Sequence, residues 1–129
     1  MMILQKVKLH ISCWINMNTK NELKIILKYN ENINILHIYN KLLAINTKLF
    51  KEYKLKLTDI RTINAKEIQQ SCMKVNYYND DIELEIKINY YKENCDCLLE
   101  NIIVKLVGDK TNNIDLINIS DIIDSIFLN

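Results

Sequence analysis

Apolar and polar positions alternate with two periods along this chain. Val7, Leu9 and Ile11 alternate with Lys6, Lys8 and His10, a period of two that predicts a strand. Leu23, Ile25, Leu27 and Tyr29 alternate with Lys24 and Lys28, so a first hairpin follows, with its turn over Met17–Asn21 and a short helix over Asn21–Tyr29 as the competing reading. From Asn32 to Tyr53 the period changes. Ile35, Tyr39, Leu42, Leu43, Leu49, Phe50 and Tyr53 recur at spacings of three, four and seven, which predicts one long helix facing a sheet.

Beyond it, Leu55–Ile63 reads as a weaker strand. Asn64 to Cys72 reads as a short helix, with Asn64 as N-cap and Glu67 three residues on. Met73, Val75 and Tyr77, then Ile82, Leu84, Ile86, Ile88 and Tyr90, form the clearest strand pair, joined by a turn at Asn79-Asp80-Asp81. Leu98–Val107 predicts another strand, opened by a short helical turn ending at Leu99, and Ile114–Ile119 a further short one. Ser120 then caps a last short helix burying Ile122, Ile123, Ile126 and Phe127. The sum is a single α+β domain over residues 1–129. It is a two-layer sandwich with a mostly antiparallel sheet packed on one long helix, about 32–53, and one or two short helices.

Composition changes the picture in one respect. The chain has no proline, one glycine (Gly108), two alanines and one arginine (Arg61), while Ile, Asn and Lys abound. That bias points to an AT-rich genome and weakens any single Asn or Lys as a functional signal. Turns must be made by Asn and Asp, which tolerate left-handed backbone and hydrogen-bond locally.

Charge is sorted by half. Residues 1–64 hold eleven basic side chains against four acidic, a net +7, and residues 65–129 hold six against twelve, a net −6. Such a chain either pairs its halves internally or offers partners two faces of opposite sign. The apolar run from Met1 to Ile15 is interrupted by Lys6, Lys8 and His10 and lacks a following small-residue cleavage site. No stretch reaches the roughly 18 apolar residues of a membrane span. We expect an intracellular protein, cytoplasmic or nuclear, with Cys13, Cys72, Cys95 and Cys97 as thiols and with Cys13 and Cys72 buried.

Chemistry is sparse. Cys95-Asp96-Cys97 lacks the second ligand pair of a structural zinc site and reads as an exposed turn or strand start. His10 and His37 have no Asp, Ser or Cys at motif spacing. A single glycine cannot build a phosphate-binding loop. We therefore expect no metal, no cofactor and no catalysis. Glu83 and Glu85 share the solvent face of one strand, and one tyrosine from each of the pairs Tyr77-Tyr78 and Tyr90-Tyr91 must face outward with them. Tyr78, Tyr91, Glu83 and Glu85 are thus candidate protein contacts. Lys6, Lys8, Lys24 and Lys28, on one hairpin face, are candidate nucleic-acid contacts.

The stretches Lys6–Cys13, Lys41–Glu52 (KLLAINTKLFKE), Lys74–Ile88 (KVNYYNDDIELEIKI) and Ile103–Thr111 (IVKLVGDKT) occur in an order that resembles the small α–β sandwich protein subunits of ribonuclease P and MRP. That resemblance implies an RNA-binding accessory role. From the residues themselves, the first expectation is a non-enzymatic interaction subunit of a larger assembly that docks protein partners through oppositely charged faces. RNA binding is the alternative.

Overall fold

Burial of Leu23, Ile25, Leu27 and Tyr29 at every second position, with Lys24, Ile26 and Lys28 between them, makes Asn21–Asn34 a strand rather than a helix. In the computed structural model, which describes residues 10–15, 21–64, 70–93, 96–108 and 113–128, it is β2 and pairs antiparallel with β1 (His10–Ile15). The first hairpin is therefore as expected, although its turn and Lys6 and Lys8 lie outside the described residues.

The long helix, α1, spans Ile35–Tyr53 and starts later than the expected residue 32. Asn32 and Ile33 still pair with Leu98 and Cys97, so the ladder holds the chain extended until Asn34. Asn34 then becomes the N-cap, its side-chain oxygen accepting from the Leu36 amide at 2.9 Å. At the other end Lys54 adopts the left-handed conformation and Leu55 turns away from the helix.

Four strands follow as a meander: β3 (Lys56–Asn64), β4 (Gln70–Tyr78), β5 (Ile82–Glu93) and β6 (Asp96–Gly108). The helix expected over 64–72 is overturned where it is described. Asn64 ends β3 and Gln70 to Cys72 open β4, because Ser71, Met73, Val75 and Tyr77 continue one alternating inward face. Residues 65–69 lie outside the described residues. Leu99 is likewise in strand β6, not at the end of a helical turn. The Asn79-Asp80-Asp81 turn forms as read, with the Asn79 side-chain oxygen accepting from the amides of Asp81 and Ile82, both at 2.8 Å.

The strand expected over Ile114–Ile119 and the short helix after Ser120 are one 16-residue helix, α2 (Asn113–Leu128). Leu116, Ile119, Ser120, Ile123, Asp124 and Phe127 are buried at helical spacing, which overrides the local alternation of Ile114 and Leu116. Ile114 is exposed.

The six strands run in the order β1-β2-β6-β5-β4-β3, all pairs antiparallel. Inward residues of β2, β4, β5 and β6 join the buried residues of both helices in one hydrophobic cluster, so two helices contribute where one was expected to dominate. Buried polar links tie the layers. The Tyr29 hydroxyl donates to Asp124 at 2.5 Å, Tyr77 bonds Asn46, and Lys41 donates to the Ile126 and Phe127 carbonyls at 2.9 and 3.2 Å.

Candidate functional site

Two surfaces carry what chemistry the described residues offer. The first is the sheet face opposite the core, which bears no helix among the described residues. There Glu22, Lys24, Lys74, Glu83, Glu85, Lys87 and Lys105 project between strands. The strand order interleaves the halves of the chain: β2 and β3 come from the basic half and flank β4, β5 and β6 from the acidic half. An ion-pair chain results. Lys105 lies 3.5 Å from Glu22 and 3.3 Å from Glu85, and Lys74 lies 3.8 Å from Glu85. Burial pulls the Lys105 ammonium down, but the hydrogen bond and charge of Glu85 and the charge of Glu22 outweigh it and raise its pKa.

A bowl of about 670 Å3 lies on this face, lined by Thr58, Asn76, Tyr78, Glu83, Glu85 and Lys105. Tyr78 pairs directly with Glu83, and Asn76 with Glu85. The structure thus brings together Tyr78, Glu83 and Glu85 and adds Lys105. Tyr91 points outward as expected but pairs with Gln70 at the far end of the hairpin, eight residues or roughly 27 Å from Glu83. Lys24 stands beside Lys105 and Lys28 beside Asn101 on the same face.

Acid–base and nucleophilic chemistry find little here. Among the described residues no three His, Cys, Asp or Glu side chains gather to hold a metal. Cys72 is only half-buried, contrary to expectation, because it points to the outer face of β4. Partial burial still pushes its thiol up, with Lys87 and Lys74 pulling the other way, so it stays protonated. Cys97, expected in an exposed turn or strand start, does lie at the start of β6 but is buried there, and Cys95 lies outside the described residues. His37 is exposed on α1.

The second surface was missed in the sequence. The buried stripe of α1 is Ile38, Leu42, Ile45 and Leu49. Leu36, Tyr39, Leu43 and Phe50 are exposed and lie about a third of a turn round the helix from that stripe. Seven of the nine large apolar side chains exposed among the described residues belong to α1 and β3: these four, with Leu57, Ile60 and Ile63. Leu57 opposes Tyr77 and Ile60 opposes Val75, so both share the helix-side face of the sheet. β3 is an edge strand, exposed along nearly its whole length. One signal was available. Ile35, Leu36, Ile38, Tyr39, Leu42, Leu43, Ile45, Leu49, Phe50 and Tyr53 cover more of the helix circumference than one sheet contact uses.

Among the described residues no helix is long and apolar enough to cross a membrane. No family model matches the chain, and no curated protein matches it significantly.

Proposed function

We propose that this chain is a non-enzymatic interaction subunit of a larger intracellular assembly, built as a two-layer α–β sandwich whose outer surfaces hold protein partners. The observation that carries the reading is the concentration of exposed Leu36, Tyr39, Leu43, Phe50, Leu57 and Ile60 on one helix flank and the facing side of its neighbouring edge strand. Contiguous apolar surface of this kind is stabilised when another protein covers it. The bowl at Tyr78, Glu83 and Glu85 supports a second contact, because an outward tyrosine beside paired charges suits a polar protein interface. The thiol of Cys72 suits a reducing compartment.

An RNA-binding role would need a contiguous cationic face, since phosphate contacts supply most of such affinity. On the open sheet face Lys74 and Lys105 meet Glu22 and Glu85 instead. The experiment that separates the two is an affinity pull-down from cells expressing the tagged chain, at moderate salt, with and without nuclease. Protein partners that survive nuclease support the assembly reading. Partners that vanish with nuclease transfer the role to RNA, and an empty pull-down overturns both.

A further inference from the structure

The helix layer is narrower than the sheet beneath it. Six strands spaced about 4.8 Å apart span roughly 24 Å between edge axes. Two helices at about 10 Å each cover less than that plus its margins. α2 packs on the flank of α1 that carries Lys41, as the bonds from Lys41 to Ile126 and Phe127 show. Asn46, on the other side of the buried stripe, bonds Tyr77 of β4. The exposed flank of α1 therefore overlooks β4 and β3, away from α2. The uncovered strip is a slot with one wall and a floor. Leu36, Tyr39, Leu43 and Phe50 form the wall, a ridge of fifteen residues spanning about 21 Å. Leu57 and Ile60 on the helix-side face of β3 form the floor.

The charge around the slot has one sign. Lys51 and Lys54 stand at its rim on α1, and Lys54 lies 5.4 Å from the Phe50 ring centre. Lys56 and Arg61 oppose Tyr78 and Lys74 and so lie, like Asp59, on the outer sheet face and outside the slot. The neighbouring carboxylates are turned elsewhere. Glu52 sits on the opposite flank of α1, 3.8 Å from Lys48, and Asp59 sits on the outer sheet face, held by Arg61 at 2.6 Å. Lys51 and Lys54 form no ion pair among the described residues.

We propose that this slot docks an acidic amphipathic helix of a partner protein, laid beside α1 over β3 as a third helix of the layer. The inference rests on the interaction-subunit reading and names the partner's chemistry. An apolar face at i, i+3 and i+7 would meet the Leu36–Phe50 ridge and the β3 floor. Its carboxylates would meet Lys51 and Lys54 and set its choice over basic helices.

The test is a displayed library of helical peptides about 18 residues long, with randomised surface charge, selected against the whole chain. Affinities are read by calorimetry and binding positions by amide chemical shifts. The expected result is enrichment of net-negative helices whose shifts centre on Leu43, Phe50, Leu57 and Ile60. Their affinity should fall at least about tenfold in Leu43→Glu. A Lys51→Glu/Lys54→Glu variant should weaken acidic helices and favour basic ones. All three substituted positions are exposed, and thermal unfolding of each variant confirms that it folds. No enrichment, enrichment of neutral or basic helices, enrichment of extended peptides added to β3, or binding indifferent to Leu43→Glu each overturns the proposal. So does self-association of the chain that Leu43→Glu abolishes, which would make a second copy the occupant. A nuclease-resistant partner that Leu43→Glu still retains overturns the slot and leaves the interaction-subunit reading standing.

Discussion

Single residues here hold the fold where the chain has least freedom to substitute. Gly108 ends β6 between β2 and the start of β5. A Cβ there would stand 2.6 Å from the Asp81 carbonyl oxygen and 3.1 Å from Ile82 Cγ2. The requirement is closeness, not backbone conformation, since no glycine has a positive φ. Backbone cannot retreat as a flexible side chain does, so Gly108→Ala should destabilise by about 1–3 kcal/mol, comparable to overpacking a core. Urea unfolding checks this, and an unchanged midpoint would show that the Asp80–Asp81 turn shifts freely. Tyr29 makes the second case. Its hydroxyl reaches the 5 %-exposed Asp124 at 2.5 Å, and burial together with that carboxylate holds the phenol far above its usual pKa. Tyr29→Phe removes a donor from a buried acid and should lower stability by about 1–3 kcal/mol. A silent Tyr29→Phe would mean that Asp124 is satisfied by its other contacts.

At the scale of elements, α1 shows what a stop signal is worth. Lys54 takes φ 58° and ψ 26°, a left-handed residue whose amide bonds the Phe50 carbonyl at 3.0 Å. That position favours glycine, and an L-residue is strained there by about 1 kcal/mol. Lys54→Gly should therefore raise the unfolding free energy by about that amount, less the greater unfolded freedom of glycine and the lost stacking on Phe50. The same element marks how far the sequence could be read. The strands, the central hairpin and its Asn79 turn were legible because Met73–Tyr77 and Ile82–Tyr90 alternate without interruption. The start of α1 was not, because only pairing with Cys97 and Leu98 keeps Asn32 and Ile33 extended. α2 was split in two because Ile114 to Ile119 fits both periods over six residues, and only Ile123 and Phe127 decide for the helix. Tyr78, Glu83 and Glu85 could be grouped from alternation alone. The slot could not, since the apolar stripe of α1 was read as one face rather than a buried face and an exposed flank.

Across the whole molecule, topology undoes the segregation of charge along the chain. A sequence with a basic and an acidic half would make two opposed surfaces if each half folded by itself. Here β2 lies against β6, so Glu22 from one half and Glu85 from the other share Lys105. The segregation persists in the helix layer, where α1 supplies Lys41, Lys48 and Lys51 and α2 supplies Asp115, Asp121 and Asp124. Lys41 from α1 supplies the cation that the last turn of α2 lacks. If the sheet-face pairs matter to the fold, their contribution has a signature in pH. The raised pKa of Lys105 means that its charged form is favoured by folding. That stability is fully present below the unfolded lysine value of about 10.4 and is lost as pH rises through the folded pKa. Lys105→Met keeps most of the stem and removes the charge. It should lower stability by about 0.5–1 kcal/mol near neutral pH, a figure discounted because the pairs are a quarter to a third exposed. The gap between wild type and Lys105→Met should begin to narrow above the unfolded value of about 10.4 and close only beyond the raised folded pKa, where position 105 carries no charge in either protein. Urea midpoints at pH 7, 9 and 11 measure it. A gap that shows no narrowing by pH 11 would mean that the charge of Lys105 is not the source of the difference, and the ion-pair chain would have no part in holding β2, β6 and β5 together.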